Sequence, residues 1–280
     1  MTAQESAPYA APTPLKKIRT VHLAEFKKNG QHFSMLTAYD QHMAEIFDAA
    51  GIETILIGDS AANNVMGYDT TLPITVDEMI VFAKSVAAGA KHSFLVCDLP
   101  FGSYEVSPQQ AVETSIRIMK ETGVHAVKIE CDERQTDTVA AIAAAGIPVL
   151  AHIGFTPQAE HSLGGYRVQG RGEEAAAKLV KTAKMLEAAG SFCILLEMVP
   201  AEVAKKVDEA VTVPTIGIGA GNGTTGQVLV WQDMLGLRTG RLPKFVKQYA
   251  QLRPIIEEAA KAYKADVASG AFPAPEHNFD

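Results

Sequence analysis

Five apolar runs in this chain each carry an ionisable side chain at or just past their C-terminal end. Asp59 follows "TILIG", Asp98 closes "FLVCD", Glu130 closes "AVKIE", His152 lies near the end of "PVLAHIG", and Glu197 closes "CILLE". Lys128 stands two residues before Glu130, so in an extended strand both side chains leave the same face. If that face is shared by the other strand ends, several carboxylates and one ammonium meet near one axis. Like charges at low dielectric repel strongly, and Lys128 offsets only one of them. A bound divalent cation would offset two more. The candidate ligands are mostly carboxylate oxygens without a close His/Cys pair, which favours Mg2+ over Zn2+.

Each residue also has a structural reading. Asp59 alone could cap the next helix. Lys128 and Glu130 could be an internal ion pair. His152 could be a core histidine with its bonds satisfied. It is the recurrence at five separate strand ends that argues for a site.

The elements that would position these groups alternate. Short apolar runs ("HFSMLTA", "TILIGD", "FLVCDLP", "AVKIE", "PVLAHIG", "CILLEM", "PTIGIGAG" and a weaker "MLGLR") read as eight strands. Between them lie Ala-rich segments of helical period, many closing on Gly before the next strand. "TVHLAEFKKNG" reads as a helix ahead of the first strand, with Thr20 as its cap. Buried strands alternating with helices mean a parallel sheet. Eight of them in 280 residues match a (β/α)8 barrel, whose chemistry sits at the strand C-termini. An open doubly wound sheet is the other choice, and it would place chemistry in one crevice.

Composition narrows the class. Net charge is −7, which argues against nucleic acid and anionic membrane surfaces. No run approaches the ~20 apolar residues of a membrane span. Residues 1–14 have neither a basic start nor an apolar h-region, so they read as a loose tail ahead of one domain over 15–280. Three cysteines, Cys97, Cys131 and Cys193, lie in or beside apolar runs, which points to buried thiols in a reducing cytoplasm. "GIGAGNGTTG", Gly217 to Gly226, is either a turn or a phosphate-cradling loop, and it lacks a Walker lysine. "GGYRVQGRG", Gly164 to Gly172, has the glycines of a lid or of an ordinary surface loop.

The blocks "GDSAANNVMGYDTTLPIT", "DLPFGSY", "VKIE", "AHIGFTPQ", "GGYRVQGRG", "LEMVP", "IGIGAGN" and "FPAPEHNF", in that order, resemble the ketopantoate hydroxymethyltransferase family from about His22 to the C-terminus. The resemblance implies a TIM barrel of the phosphoenolpyruvate/pyruvate type, assembled as a homodecamer. It implies a Mg2+-dependent step of pantothenate biosynthesis that uses 5,10-methylenetetrahydrofolate to hydroxymethylate 3-methyl-2-oxobutanoate through an enolate. It implies Mg2+ ligation by Asp59 and Asp98, with Glu130 at or just behind the metal. Substrate contacts are implied for Asp59, Ser60, Asp98 and Lys128. Glu197 is implied as the proton acceptor, and His152 lies near the substrate. Three departures stand out: "GDSAANN" for the common "GDSLGM", Tyr68 for a histidine, and Cys131-Asp132 for two glycines. Asp132 adds a negative charge beside Glu130. Another Mg2+/2-oxo-acid lyase, an aldolase using Lys128 as a Schiff base, and a non-catalytic barrel are the competing readings.

Overall fold

The computed structural model describes residues 16–279. The expected tail over 1–14 lies outside the described residues. In chain order the elements are α1 (Thr20–Lys28), β1 (Phe33–Thr37), α2 (Gln41–Ala49), β2 (Thr54–Ile57), α3 (Ala61–Asn64), α4 (Val76–Gly89) and β3 (Phe94–Asp98). They continue with α5 (Pro108–Thr122), β4 (Ala126–Glu130), α6 (Thr136–Ala144), β5 (Val149–Gly154), α7 (Glu160–Leu163), α8 (Glu173–Ala188) and β6 (Cys193–Glu197). The last are α9 (Ala201–Ala210), β7 (Thr215–Ile218), β8 (Gly226–Leu229), α10 (Trp231–Met234) and α11 (Leu252–Ser269).

The eight strands pair in parallel and in sequence order, and β8 returns to β1 to close the barrel. Local chemistry starts and stops the helices between them. The Asp40 side chain accepts from Met43 N to cap α2. Thr75 and Glu78 form a capping box on α4. Ser107 caps α5, Pro108 opens it, and Gly123 ends it in the left-handed conformation.

Strand alternation divides the core in two. Met35, Leu56, Val96, Ala126, Leu150, Leu195, Ile216 and Val228 fill the barrel lumen, and Leu23 of α1 joins them. Phe26 of α1 packs on Phe33 with ring centroids 5.7 Å apart. The opposite faces, among them Ile55, Ile57, Leu95, Cys97, Val127, Ile129, Ile194 and Leu196, pack under the helices. The lumen parity runs on toward the strand ends: Val96 leads to Asp98, Ala126 to Lys128 and Glu130, Leu150 to His152, and Leu195 to Glu197. A fixed alternation therefore carries the core residues and the polar residues on the same faces. All three cysteines are buried and free. Among the described residues no helix is long and apolar enough to cross a membrane.

Two local expectations are corrected. The last strand is "GQVL" and not "MLGLR", most of which follows or ends α10. Only residues 219–225 link β7 to β8, without a helix, so the alternation that marks the other strands is absent there. The linker's glycines allow close packing on α9: a Cβ at Gly221 would lie 2.4 Å from Ala201 Cβ, and one at Gly223 would lie 2.9 Å from Lys205 Cβ. That need accounts for a glycine-rich stretch that could otherwise pass for a phosphate loop. Thr20 is the first residue of α1, and Arg19 holds the cap position.

Candidate active site

Asp59, Ser60, Asp98, Lys128, Glu130, His152 and Glu197 line one cavity of about 370 Å³ at the C-terminal mouth of the barrel. Every residue singled out by its strand-end position is therefore brought to the same place. Most are deeply buried, with Asp98 2% and Lys128 5% exposed. Charges so far from water persist only when paired or neutralised.

Gly58 opens the backbone after β2, where a Cβ would lie 2.6 Å from Ser60 Oγ. Asp59 N then donates to Asp98 Oδ2 at 3.0 Å, tying the ends of β2 and β3 together. Asp59 does not cap α3. Ser60 holds that position, and Asp59 Oδ2 instead accepts from Gln158 Nε2 at 2.8 Å. Ser60 Oγ lies 2.8 Å from Tyr39 Oη. Lys128 Nζ pairs with Asp98 Oδ1 at 3.1 Å, rather than with Glu130 on its own strand. Apart from this ion pair, Asp98 Oδ1 has no hydrogen-bond partner among the described residues.

Electrostatics follow from this crowding. Burial pushes Asp98 up and Asp59 adds repulsion, against the pull of Lys128. Burial also raises Glu130 well above the ordinary carboxylate range, with Asp59 adding repulsion and Lys128 opposing. For Lys128 burial disfavours the ammonium, but Asp98, Asp59 and Glu130 outweigh it and hold the charge on. Glu197 is pushed up to about 8, first by burial, with Lys128 lowering it and Asp59 and Asp98 raising it. Burial, reinforced by Lys128, drives His152 well below its usual range, so the imidazole is neutral. Its Nε2 lies 3.4 Å from Glu197 Oε2 and its Nδ1 3.8 Å from Glu130 Oε1. Neither ring nitrogen has a hydrogen-bond partner among the described residues. This is not the satisfied histidine of a structural core.

The donor set suits a hard cation. Asp98 Oδ1, whose charged neighbour is Lys128, faces a cavity lined by six carboxylates, one ammonium and one guanidinium. Among the described residues no three His, Cys, Asp or Glu side chains gather closely enough to hold an ion alone. Mg2+ tolerates that, because it keeps waters and takes ligands from its substrate.

Two features around Glu197 hold its backbone. Gly154 pairs with it in register, and a Cβ on Gly154 would lie 2.4 Å from Glu197 O. Met198, immediately after, sits at φ +48, a strained value for a side-chain-bearing residue.

A family model described as ketopantoate hydroxymethyltransferase matches residues 17–275. A 3-methyl-2-oxobutanoate hydroxymethyltransferase of Paenarthrobacter aurescens is 60% identical over 277 residues, covering 99% of this chain and 92% of its own. One from an Arthrobacter species is 58% identical, with 100% and 97% covered. This chain belongs to the ketopantoate hydroxymethyltransferase family. Its barrel is shared more widely. Phosphonopyruvate hydrolase aligns with TM-score 0.60 at 14% identity, covering 92% of both chains. 2,3-Dimethylmalate lyase, of the PEP mutase/isocitrate lyase superfamily, aligns with TM-score 0.57 at 17% identity, covering 93% of this chain and 91% of its own.

Within this ketopantoate hydroxymethyltransferase-family site, reading strand ends overlooks Gln158 and Tyr39. Gln158 donates from Nε2 to Asp59 and to Leu99 O, donates from N to Glu130 Oε2 at 2.9 Å, and accepts from Tyr104 Oη. It stands beyond the end of β5, in "HIGFTPQ". Tyr39 lies two residues past β1, the one strand of the first six whose end shows no acid, lysine or histidine. Cys131-Asp132 leaves the Glu130 backbone in the sheet, with Cys131 N donating to His152 O at 2.7 Å. Asp132 turns to Arg134 and caps the turn that follows. The loop after β5 lays Tyr166 on Phe155 (centroids 4.7 Å) at the cavity wall.

Proposed function

We propose that this protein transfers a hydroxymethyl group from 5,10-methylenetetrahydrofolate to 3-methyl-2-oxobutanoate, giving 2-dehydropantoate and tetrahydrofolate. The reaction is a step of pantothenate biosynthesis, run in the cytoplasm by a homodecamer whose subunit is one domain over 15–280. Across the reaction the C3–H bond of the keto acid breaks and a C3–CH2 bond forms. Water supplies the new hydroxyl group, and the folate departs reduced and unsubstituted.

The reading rests on family membership together with one observation. Among the described residues no group donates a hydrogen bond to the Glu197 carboxylate, and the neutral His152 lies 3.4 Å from it. A carboxylate raised to about 8 and left without donors is, once ionised, a stronger base than an ordinary carboxylate. Asp59 and Asp98 would hold Mg2+, with Glu130 at or behind it. Bound there, the ion supplies Lewis-acid charge for the keto and carboxylate oxygens of a 2-oxo acid. A phosphonopyruvate hydrolase with this fold is described as a complex with oxalate and Mg++, and that ligand is a close relative of such a chelate.

The chain's own groups do the rest. Ser60 Oγ, held against Tyr39, offers a hydrogen bond to the substrate carboxylate. Lys128 keeps a fixed positive charge close to the oxygen that becomes negative when C3 is deprotonated. Its pairing with Asp98 keeps it protonated, which counts against a Schiff-base role, since an imine needs the free amine. Glu197 takes the C3 proton, and the neutral His152 lies 3.4 Å from that carboxylate.

NMR of the keto acid with protein, Mg2+ and 5,10-methylenetetrahydrofolate should show 2-dehydropantoate, and chelation of the metal should stop it. Cleavage of the keto acid instead, or an imine trapped on Lys128 by borohydride, would replace this reading with a lyase or an aldolase.

A further inference from the structure

A second cavity, of about 430 Å³, adjoins the first and shares Asn63, Asn64, Asp69 and Arg238 with it. Its floor is α10. Gln232 lines it, is 5% exposed, and has an Oε1 without a hydrogen-bond partner among the described residues. The preceding Trp231 has a buried Nε1 in the same condition, whereas the following Asp233 turns its Oδ1 to Arg238 Nη1 at 3.6 Å. Trp231 and Gln232 thus hold polar atoms away from water with nothing to bond among the described residues. Such groups are costly and call for a partner that arrives later.

The chain beyond α10 has a second peculiarity. From Met234 to Ile256 it carries Arg238, Arg241, Lys244, Lys247 and Arg253 and no acid, in a protein of net charge −7. All five cations are exposed. This stretch reaches the mouth of the site, where Pro243 and Phe245 line the catalytic cavity and Arg238 and Arg253 line the second one. Arg253 Nε donates to Leu237 O at 2.8 Å and so fixes one end of the stretch to the other.

We propose that the cavity between α3 and α10 holds the pterin of the one-carbon donor, and that the basic stretch from Arg238 to Arg253 takes its glutamate carboxylates. The inference rests on the functional reading above. A pterin is a flat ring system edged with N–H donors and a carbonyl acceptor. It needs acceptors, supplied by the buried Gln232 Oε1 and the exposed Asp69, amide donors, for which Asn63 and Asn64 each keep a second N–H beyond the one given to Tyr68 O and Ser60 O, and an aromatic face, supplied by Tyr68. Its tail carries one to several carboxylates, which arginine and lysine recognise by charge-assisted bonds. The shared residues set the one-carbon unit and the keto acid in adjoining cavities.

The chain's one tryptophan, Trp231, makes the test direct. Tetrahydrofolate, in monoglutamyl and triglutamyl forms, is titrated into the full-length protein while Trp231 fluorescence is followed, and donor KM is measured for the wild type and two variants. The subsite predicts a saturable change in Trp231 emission. Gln232→Leu should raise donor KM roughly tenfold, as befits a lost buried hydrogen bond, while keto-acid KM stays near its wild-type value. The double variant Arg241→Ala/Lys244→Ala, at exposed positions, should erase any preference for the triglutamyl form. A wild type that transfers the one-carbon unit while both variants keep its donor KM and glutamate preference would overturn the subsite alone. A wild type that shows no transfer overturns the functional reading, and this inference with it.

Discussion

Gln158 is the side chain on which the polar site most depends. Its amide reaches Asp59, Leu99 O and Tyr104, and its backbone N–H reaches Glu130. Replacement by leucine keeps the volume but strips Asp59 of a donor and leaves Tyr104 Oη with one partner fewer. Gln158→Leu should cost about 2 kcal/mol of stability, read as a lowered thermal midpoint, and should weaken Mg2+ binding in calorimetry. An unchanged Mg2+ affinity would mean that Asp59 needs no help to face the metal. Gly154 is the corresponding backbone position. At φ +96, with Glu197 O where a Cβ would go, Gly154→Ala must displace β5 or β6. The expected result is a kcat loss larger than any change in keto-acid KM, because the shift falls on Glu197 and not on Asp59 or Ser60.

At the scale of elements, the barrel is held by polar ties between helix ends and strand starts as well as by its core. Asp48 near the end of α2 accepts from the backbone N–H of Lys91, His92 and Ser93, just ahead of β3. Burial raises this carboxyl, but those donors and the His92 side chain outweigh it and hold the pKa at about 2, below the ordinary 3.8. The folded-state value is depressed. Its contribution of about 2 kcal/mol is therefore complete above pH 3.8 and disappears as pH falls through about 2. Asp48→Asn should lower stability at pH 7 and flatten the acid limb of the pH–stability curve, which denaturant titrations at several pH values would register. The elements were largely legible in the sequence because strand and helix periods differ and seven strands are β-branched or apolar: "AVKIE" coincides with β4, residue for residue. β8 was not legible, because Gly226 and Gln227 give no apolar run and no helix separates it from β7. The site was legible wherever a lumen-facing parity ended in a charge. Gln158 and Tyr39 escaped that rule, since one lies past its strand in a turn and the other carries no charge.

For the whole molecule, the long helix α11 is the odd part. None of its residues is buried, and Ile255, Ile256, Tyr263 and Val267 are exposed along it. A helix with no packed face is poorly stabilised by itself, which agrees with the proposed homodecamer. Light scattering should then give a mass near ten times the 29.9 kDa of one chain. A monomer at micromolar concentration would rule that assembly out.

The central claim is that Glu197 removes the C3 proton from a keto acid held by the Asp59 and Asp98 end of the site. NMR of 3-methyl-2-oxobutanoate with protein and Mg2+ in heavy water, without folate, isolates that step. The wild type should wash deuterium into C3, and Glu197→Gln, still binding the keto acid, should not. Exchange at the wild-type rate in Glu197→Gln would contradict the account.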